Sequence, residues 1–185
     1  HPRFREIVDF LSAAGLDLST ETNGTLITRD LAVHLHDKTR LTRVAVSLDS
    51  PDAERHDRFR GVKGAFAAAV EGLGHLVAVG LRPQIIMSVF RENVGRIEEL
   101  IALARRLGAG MVKFNPVTPS GRGAEIHKQG QGLEFGELLA LIRRIRGPLQ
   151  DRSEIPLNIM MPPAMAIDSR DRPRPLRILS PKVRN

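Results

Sequence analysis

Arg43-Val44-Ala45-Val46-Ser47-Leu48-Asp49-Ser50-Pro51, running on to Arg58-Phe59-Arg60-Gly61, is the stretch that decides the fold. It opens as a short apolar run with β-branched residues. Ser47 and Asp49 interrupt that run near its end, and Ser50-Pro51 breaks it. A buried parallel strand reads this way, with small polar side chains delivered at its C-terminal end. In α/β folds that end is where ligands sit. The cluster His56-Asp57-Arg58-Phe59-Arg60 beyond it is expected to form a basic loop able to hold an anion over Ser47 and Asp49.

The neighbouring segments repeat the theme on both sides. Pro2 to Ala14 carries a helical stripe (Phe4, Ile7, Val8, Phe10, Leu11) that Gly15 ends. Leu16 to Glu21 reads as a strand and Thr22-Asn23-Gly24-Thr25 as its turn. Thr28 is placed to cap a helix reaching about His36, with Leu31, Val33 and Leu35 as its apolar positions. Val62 to Val79 reads as an Ala-rich helix and Pro83 to Phe90 as a buried strand. Asn93 is placed to cap a helix over Val94 to Leu107. Met111 to Asn115 is a strand, Pro116 to Gly123 a loop, Glu134 to Ile145 a helix, and Ile155 to Met161 a last strand. Strands alternating with helices predict a parallel sheet, either open and doubly wound or part of a (β/α) barrel. No strand end carries G-x-G-x-x-G or G-x-x-x-x-G-K-[ST], which favours the barrel.

Composition narrows the functional classes. The 185 residues are 42% hydrophobic and 26% charged, within the range of a soluble globular domain. No apolar run approaches the roughly 18 residues of a membrane span. The start reads as an amphipathic helix rather than a signal peptide, and it lacks an initiator Met. There is no cysteine, so no disulfide and no thiolate metal site. A cytoplasmic setting is the expectation. The net charge is +7, and four of those charges fall on residues 168–185. That leaves a nearly balanced body, residues 1–167, and a basic Pro-rich tail expected to be disordered. With no Trp or Tyr to stack bases, nucleic-acid binding is not expected.

The strand ends offer Thr20 to Asn23, Ser47, Asp49, Ser88, and Asn115 with Thr118 and Ser120. These are hydrogen-bonding groups, with no metal cluster, acid–base pair or nucleophile–His–acid order among them. They suit polar contacts to a bound small molecule, and any chemistry would then belong to a cofactor.

Four motifs carry a family resemblance: Thr22-Asn23-Gly24; Val46-Ser47-Leu48-Asp49-Ser50-Pro51; His56-Asp57-Arg58-Phe59-Arg60-Gly61; and Asn115-Pro116-Val117-Thr118-Pro119-Ser120-Gly121-Arg122-Gly123. In this order and spacing the chain resembles radical S-adenosylmethionine (radical SAM) enzymes. The resemblance is greatest to the peptide- and cofactor-maturing branch with a C-terminal SPASM extension. It is good over residues 1–123 and looser over 124–165.

The resemblance implies an α/β fold, a partial parallel (β/α) barrel of radical SAM type. It implies that Ser47 hydrogen-bonds S-adenosylmethionine and that Arg60 pairs with its carboxylate, a task suited to a planar guanidinium. The main chain at Val117 would contact the adenine, with Thr22, Asn23 and Asn115 close by. A 4Fe-4S cluster would reduce the sulfonium, and the resulting 5′-deoxyadenosyl radical would act on a peptide or small-molecule substrate.

The departures are equally informative. The Cys-x3-Cys-x2-Cys motif and the Gly-Gly-Glu motif are missing, as are the SPASM cysteines. The chain therefore reads as a core without its first two βα units. On that reading it is inactive alone, leaves an open sheet edge, and could pair with the missing part of the barrel. A non-catalytic binding remnant and an unrelated barrel enzyme holding an anionic metabolite through Arg60 and Arg122 are the alternatives. The barrel reading requires Ser47 and Val117 to open at the same end of the sheet.

Overall fold

The computed structural model describes residues 1–160, so the basic tail and the end of the last expected strand lie outside the described residues. Five strands form one sheet: β1 (Leu18–Thr22), β2 (Leu41–Ser47), β3 (Gln84–Val89), β4 (Met111–Pro116) and β5 (Leu157–Ile159). Each pairs in parallel with the next in sequence, in the order β1-β2-β3-β4-β5. A doubly wound sheet reverses its strand order at a switch point. This one does not, and it is a partial (β/α) barrel.

The helices cover one face. They are α1 (Phe4–Ala13), α2 (Arg29–Lys38), α3 (Ala53–Arg60), α4 (Ala65–Ala78), α5 (Ile97–Arg106), α6 (Gly123–Lys128), α7 (Phe135–Arg144) and the short α8 (Gln150–Arg152). Among the described residues, no helix is long and apolar enough to cross a membrane. In a strand, alternate side chains take opposite faces. Val44, Val46, Ile85, Met87, Val112 and Phe114 face the helices and join Leu73, Leu76, Leu100 and Leu141 in one buried core. The register sends Glu21, Ala45, Ser47, Gln84, Ile86, Ser88, Lys113 and Asn115 to the other face.

That second face is concave. Lys113 Nζ on β4 lies 3.7 Å from Glu21 Oε1 on β1, three strands away. In a flat sheet those strands would be roughly 14 Å apart at about 4.8 Å per strand. Side chains standing upright on a flat sheet would not meet across that distance, and the contact fits a sheet that curls as a barrel wall does.

Three local details differ from the sequence reading. The charged segment after Pro51 is a helix, α3, rather than a basic loop. Asp52 caps it by accepting from Arg55 N–H at 2.9 Å, and Gly61 ends it at φ 69°. In α2 the Thr28 cap is present, but Ala32 and Leu35 are the buried positions and Val33 is exposed. A spacing of three keeps two side chains on one helix face, which the spacing of two at 31, 33 and 35 does not. Residues 123–128 form α6, which starts at the last residue of the expected 116–123 loop and runs through a stretch with no expected element.

β1 pairs only with β2 among the described residues. Beside it, α1 buries only Val8, leaving Ile7, Phe10 and nearby Leu16 exposed.

Candidate functional site

Ser47 is the last residue of β2, and Val117 follows β4 directly. Val117 N–H donates to Val89 O, at the end of β3, at 2.9 Å. Both residues therefore open at the same, C-terminal end of the sheet. Ser47 shares a register row with Ile86 and Lys113, and Ser88 and Asn115 form the row above. The structure brings Ser47, Ser88 and Asn115 together on the concave face. Asn115 Oδ1 is buried there and has no hydrogen-bond partner among the described residues. A buried acceptor left unpaired costs about 1–3 kcal/mol, so this atom points to a donor from beyond the described residues.

Thr22 is not brought to that face. It aligns with Val46, on the helix side. Its Oγ1 accepts from Gly24 N–H at 3.1 Å, and Asn23 Oδ1 accepts from both Thr25 N–H (3.2 Å) and Thr25 Oγ1–H (3.1 Å). Both side chains shape the turn, as Asx and Thr side chains do. Packing finishes the turn. Gly24 has φ 81°, and a Cβ on Gly72 of α4 would lie 2.3 Å from Gly24 O. Only two glycines allow the helix to approach the turn this closely.

Arg60 differs most from its expected role. It does not project from a loop; it sits at the end of α3 with Nε and Nη2 each 2.6 Å from Asp49 Oδ2. Asp49 is buried, and its other oxygen accepts from Ser88 N–H at 3.0 Å. Charge pairing plus a backbone donor is what a buried carboxylate needs. The pair ties α3 to the ends of β2 and β3.

Two residues that the sequence did not single out for the site complete this junction. His56 is buried on α3, and its Nδ1 accepts from Asp49 N–H at 3.1 Å. That nitrogen must be unprotonated, so the ring is neutral with its proton on Nε2. Burial pushes the His56 pKa down, and Arg60 adds to the drop against the opposing pull of Asp49. Asn93 was expected to cap a helix, yet it makes no capping bond. Its Nδ2 donates to Asp49 O (3.0 Å) and Ser88 O (2.8 Å), and its Oδ1 accepts from Phe90 N–H (2.9 Å). An Asn after a strand gives the same sequence signal in either role. Only the proximity of Asp49 decides between them.

The Val117 main chain is also engaged. Its carbonyl accepts from His127 Nε2 of α6 at 2.9 Å. A Cβ on Gly123 would lie 2.2 Å from Thr118 O, so glycine there closes the 117–123 loop. His127 was not foreseen, because α6 was not.

The residues present can be tested against the groups that the resemblance implies. For S-adenosylmethionine they fit: an unpaired acceptor, a half-buried serine and a guanidinium lie at one end of a concave face. For an iron–sulfur cluster they do not. Such clusters need thiolates, and the chain has no cysteine. Among the described residues no three His, Cys, Asp or Glu side chains are grouped to hold a metal ion.

Comparisons with known proteins bear on the family and the fold. The sequence pattern of the Radical SAM superfamily matches residues 1–104. The AdoMet-dependent heme synthase of Nitratidesulfovibrio vulgaris is 35% identical over 135 residues, 72% of this chain and 36% of that protein. Mycofactocin maturase MftC of Mycobacterium ulcerans is 37% identical over 129 residues, 69% of this chain and 34% of that protein. The chain thus spans about a third of the length of these curated relatives. Streptococcus suis SuiB, solved bound to S-adenosylmethionine, has the same fold at a TM-score of 0.70 and 12% identity. The match covers 90% of this chain and 38% of SuiB. SuiB bound to its precursor peptide matches at 0.68 and 13% identity, over 85% of this chain and 35% of SuiB. Matched over more than half its length by the family pattern, the chain belongs to the radical SAM superfamily.

Proposed function

We propose that these residues form the later part of an S-adenosylmethionine site, serving the modification of a peptide or cofactor precursor in an intact enzyme. The observation that carries this reading is Asn115 Oδ1, buried and without a partner among the described residues, beside Ser47 and Ser88 on the concave face. An adenine amino group or a ribose hydroxyl would supply the missing donor.

In this reading Ser47 hydrogen-bonds the cofactor and Arg60 faces its carboxylate while Asp49 holds the guanidinium in place. The Val117 carbonyl keeps a second lone pair for the adenine amino group. The Asn23 turn lines the side of the mouth, with Thr22 shaping it from behind. When bound, S-adenosylmethionine supplies a sulfonium whose reduction yields the reactive species. The thiolates for the reducing cluster are not in this chain, so that step is not assigned to its residues. The MftC and heme synthase names and the SuiB complex with a precursor peptide support a peptide or cofactor precursor as substrate.

Calorimetric titration with S-adenosylhomocysteine tests the site without requiring a cluster. Binding is expected, weakened roughly tenfold by Ser47→Ala or Asn115→Ala. Binding of glucose 6-phosphate in place of S-adenosylhomocysteine would overturn the reading.

A further inference from the structure

Val117 O is the carbonyl assigned above to a purine amino group, and its surroundings leave it little freedom. The segment Asn115-Pro116-Val117-Thr118-Pro119 has a proline on each side of the Val117-Thr118 pair. A proline fixes its own φ and holds the residue before it near extended backbone. Val117 N–H donates to Val89 O at 2.9 Å, and Thr118 O accepts from Ser120 N–H at 2.8 Å. The peptide plane between Val117 and Thr118 is the part still free to tilt. Among the described residues no acceptor meets Thr118 N–H, and the donor to Val117 O is His127 Nε2, at 2.9 Å. A carbonyl only accepts, so this ring nitrogen carries a proton.

The imidazole is itself held in place. α6 ends in a Schellman motif: Gly130 N–H donates to His127 O at 2.9 Å and Gln131 N–H to Ile126 O at 3.0 Å, with Gly130 at φ 71°. This turn lays Gly132 against the ring, where a Cβ would stand 2.2 Å from His127 Nδ1 and 2.3 Å from its Cε1. The turn is anchored from its far side by Arg91, in the loop after β3. Arg91 N–H donates to Gln131 O at 2.9 Å, and Arg91 Nη1 donates to Gly130 O at 2.6 Å. Arg91 Nε and Nη2 grip the Glu137 carboxylate of α7, at 3.0 and 2.8 Å. His127 thus stands between a pinned turn and a single carbonyl.

We propose that His127 is a positioning residue: it fixes the Val117 carbonyl so that the site takes a 6-aminopurine and rejects a 6-oxopurine. With one lone pair engaged by His127, the oxygen keeps the other for an amino donor. A 6-oxo group in the same place sets two acceptors against each other and leaves both unpaired. A carbonyl free to tilt turns away from the oxo group and admits either base. The presence of a purine rests on the cofactor-site reading above. The role of His127 rests on the packing of α6 and its turn.

Calorimetric titration of the 185-residue chain with S-adenosylhomocysteine, S-inosylhomocysteine and S-ribosylhomocysteine tests this. The second ligand has an oxo group in place of the 6-amino group, and the third has no base. The unaltered chain is expected to bind the adenosyl ligand roughly tenfold tighter than the inosyl one. His127→Leu is expected to bring the two to near parity, and His127→Gln, which keeps a side-chain N–H donor, to restore the preference. Gly132→Ala retains the imidazole but displaces it, so it should act as His127→Leu does and carries the test if that variant does not fold. Affinity for S-ribosylhomocysteine should be the same in every variant. A preference that is absent from the unaltered chain, or that survives both His127→Leu and Gly132→Ala, overturns this proposal alone. Equal weakening of S-ribosylhomocysteine also overturns it, because His127 would then support the fold rather than the base. Failure of all three ligands to bind the unaltered chain overturns the cofactor-site reading and this proposal with it.

Discussion

Gly72→Ala tests whether α4 and the Thr22–Gly24 turn are packed as closely as the structure requires. In an ordinary helix interior this change stabilises, because alanine is favoured over glycine by about 1 kcal/mol. Here the new Cβ would stand 2.3 Å from Gly24 O and 3.2 Å from Ile27 Cβ. Comfortable contact between heavy atoms is roughly 3.5 Å, so helix and turn must separate by about 1 Å. The obstacle is backbone on both sides, with no rotamer to yield. Overpacking costs about 1–3 kcal/mol, and the upper end applies here. Offsetting the helix gain leaves a net loss of about 2 kcal/mol. For a chain of this size that corresponds to a fall in Tm of about 4–8 °C. Gly74→Ala, two residues along the same helix, is the control: its Cβ meets nothing within 4 Å. It should raise stability by about 0.5–1 kcal/mol. Thermal melts of the two variants should move in opposite directions. Melts that move the same way would refute the close approach, and with it the account of how helix and turn pack.

The buried junction gives three further expectations. Asp49→Ala leaves Arg60 and Ser88 N–H without their acceptor and should lower the urea-unfolding free energy by about 2–3 kcal/mol; an unchanged midpoint would contradict the pairing. His56 is neutral with a pKa below its ordinary 6.5. As pH falls below 6.5 the unfolded chain takes up a proton that the folded chain refuses, so stability drops until the folded pKa is passed. His56→Gln, which keeps an acceptor for Asp49 N–H, should flatten that part of the pH–stability curve. Anaerobic treatment of the chain with iron and sulfide should give no cluster absorption, since no thiolate is present.

The strands and their partners were legible because each is a short apolar run bounded by Gly, Pro or Asn, and parallel pairing of successive units is the simplest way to bury both faces. Ser47 and Asn115 were legible as polar residues at the ends of such runs. The helix α3 was not, although Ser50-Pro51-Asp52-Ala53-Glu54 is a sound helix start. Within it only His56 and Phe59 turn inward, and a charged segment with so little apolar stripe does not announce burial. His56 packs inside because it replaces a water-bonded partner for Asp49 N–H, a tertiary fact with no local signature. Arg60 was assigned outward to a ligand, since its match to Asp49 spans eleven residues and needs the helix between them.

Strand order has a further consequence. Every ladder in this sheet joins a strand to its immediate successor along the chain. No segment has to wait for a distant one, so assembly can advance stepwise as the polypeptide emerges from a ribosome. The same bookkeeping of neighbours makes the architecture tolerant of length. A strand–helix module gained or lost at the leading edge re-threads nothing behind it, and the lineage can lengthen or shorten its wall while the later modules keep their contacts.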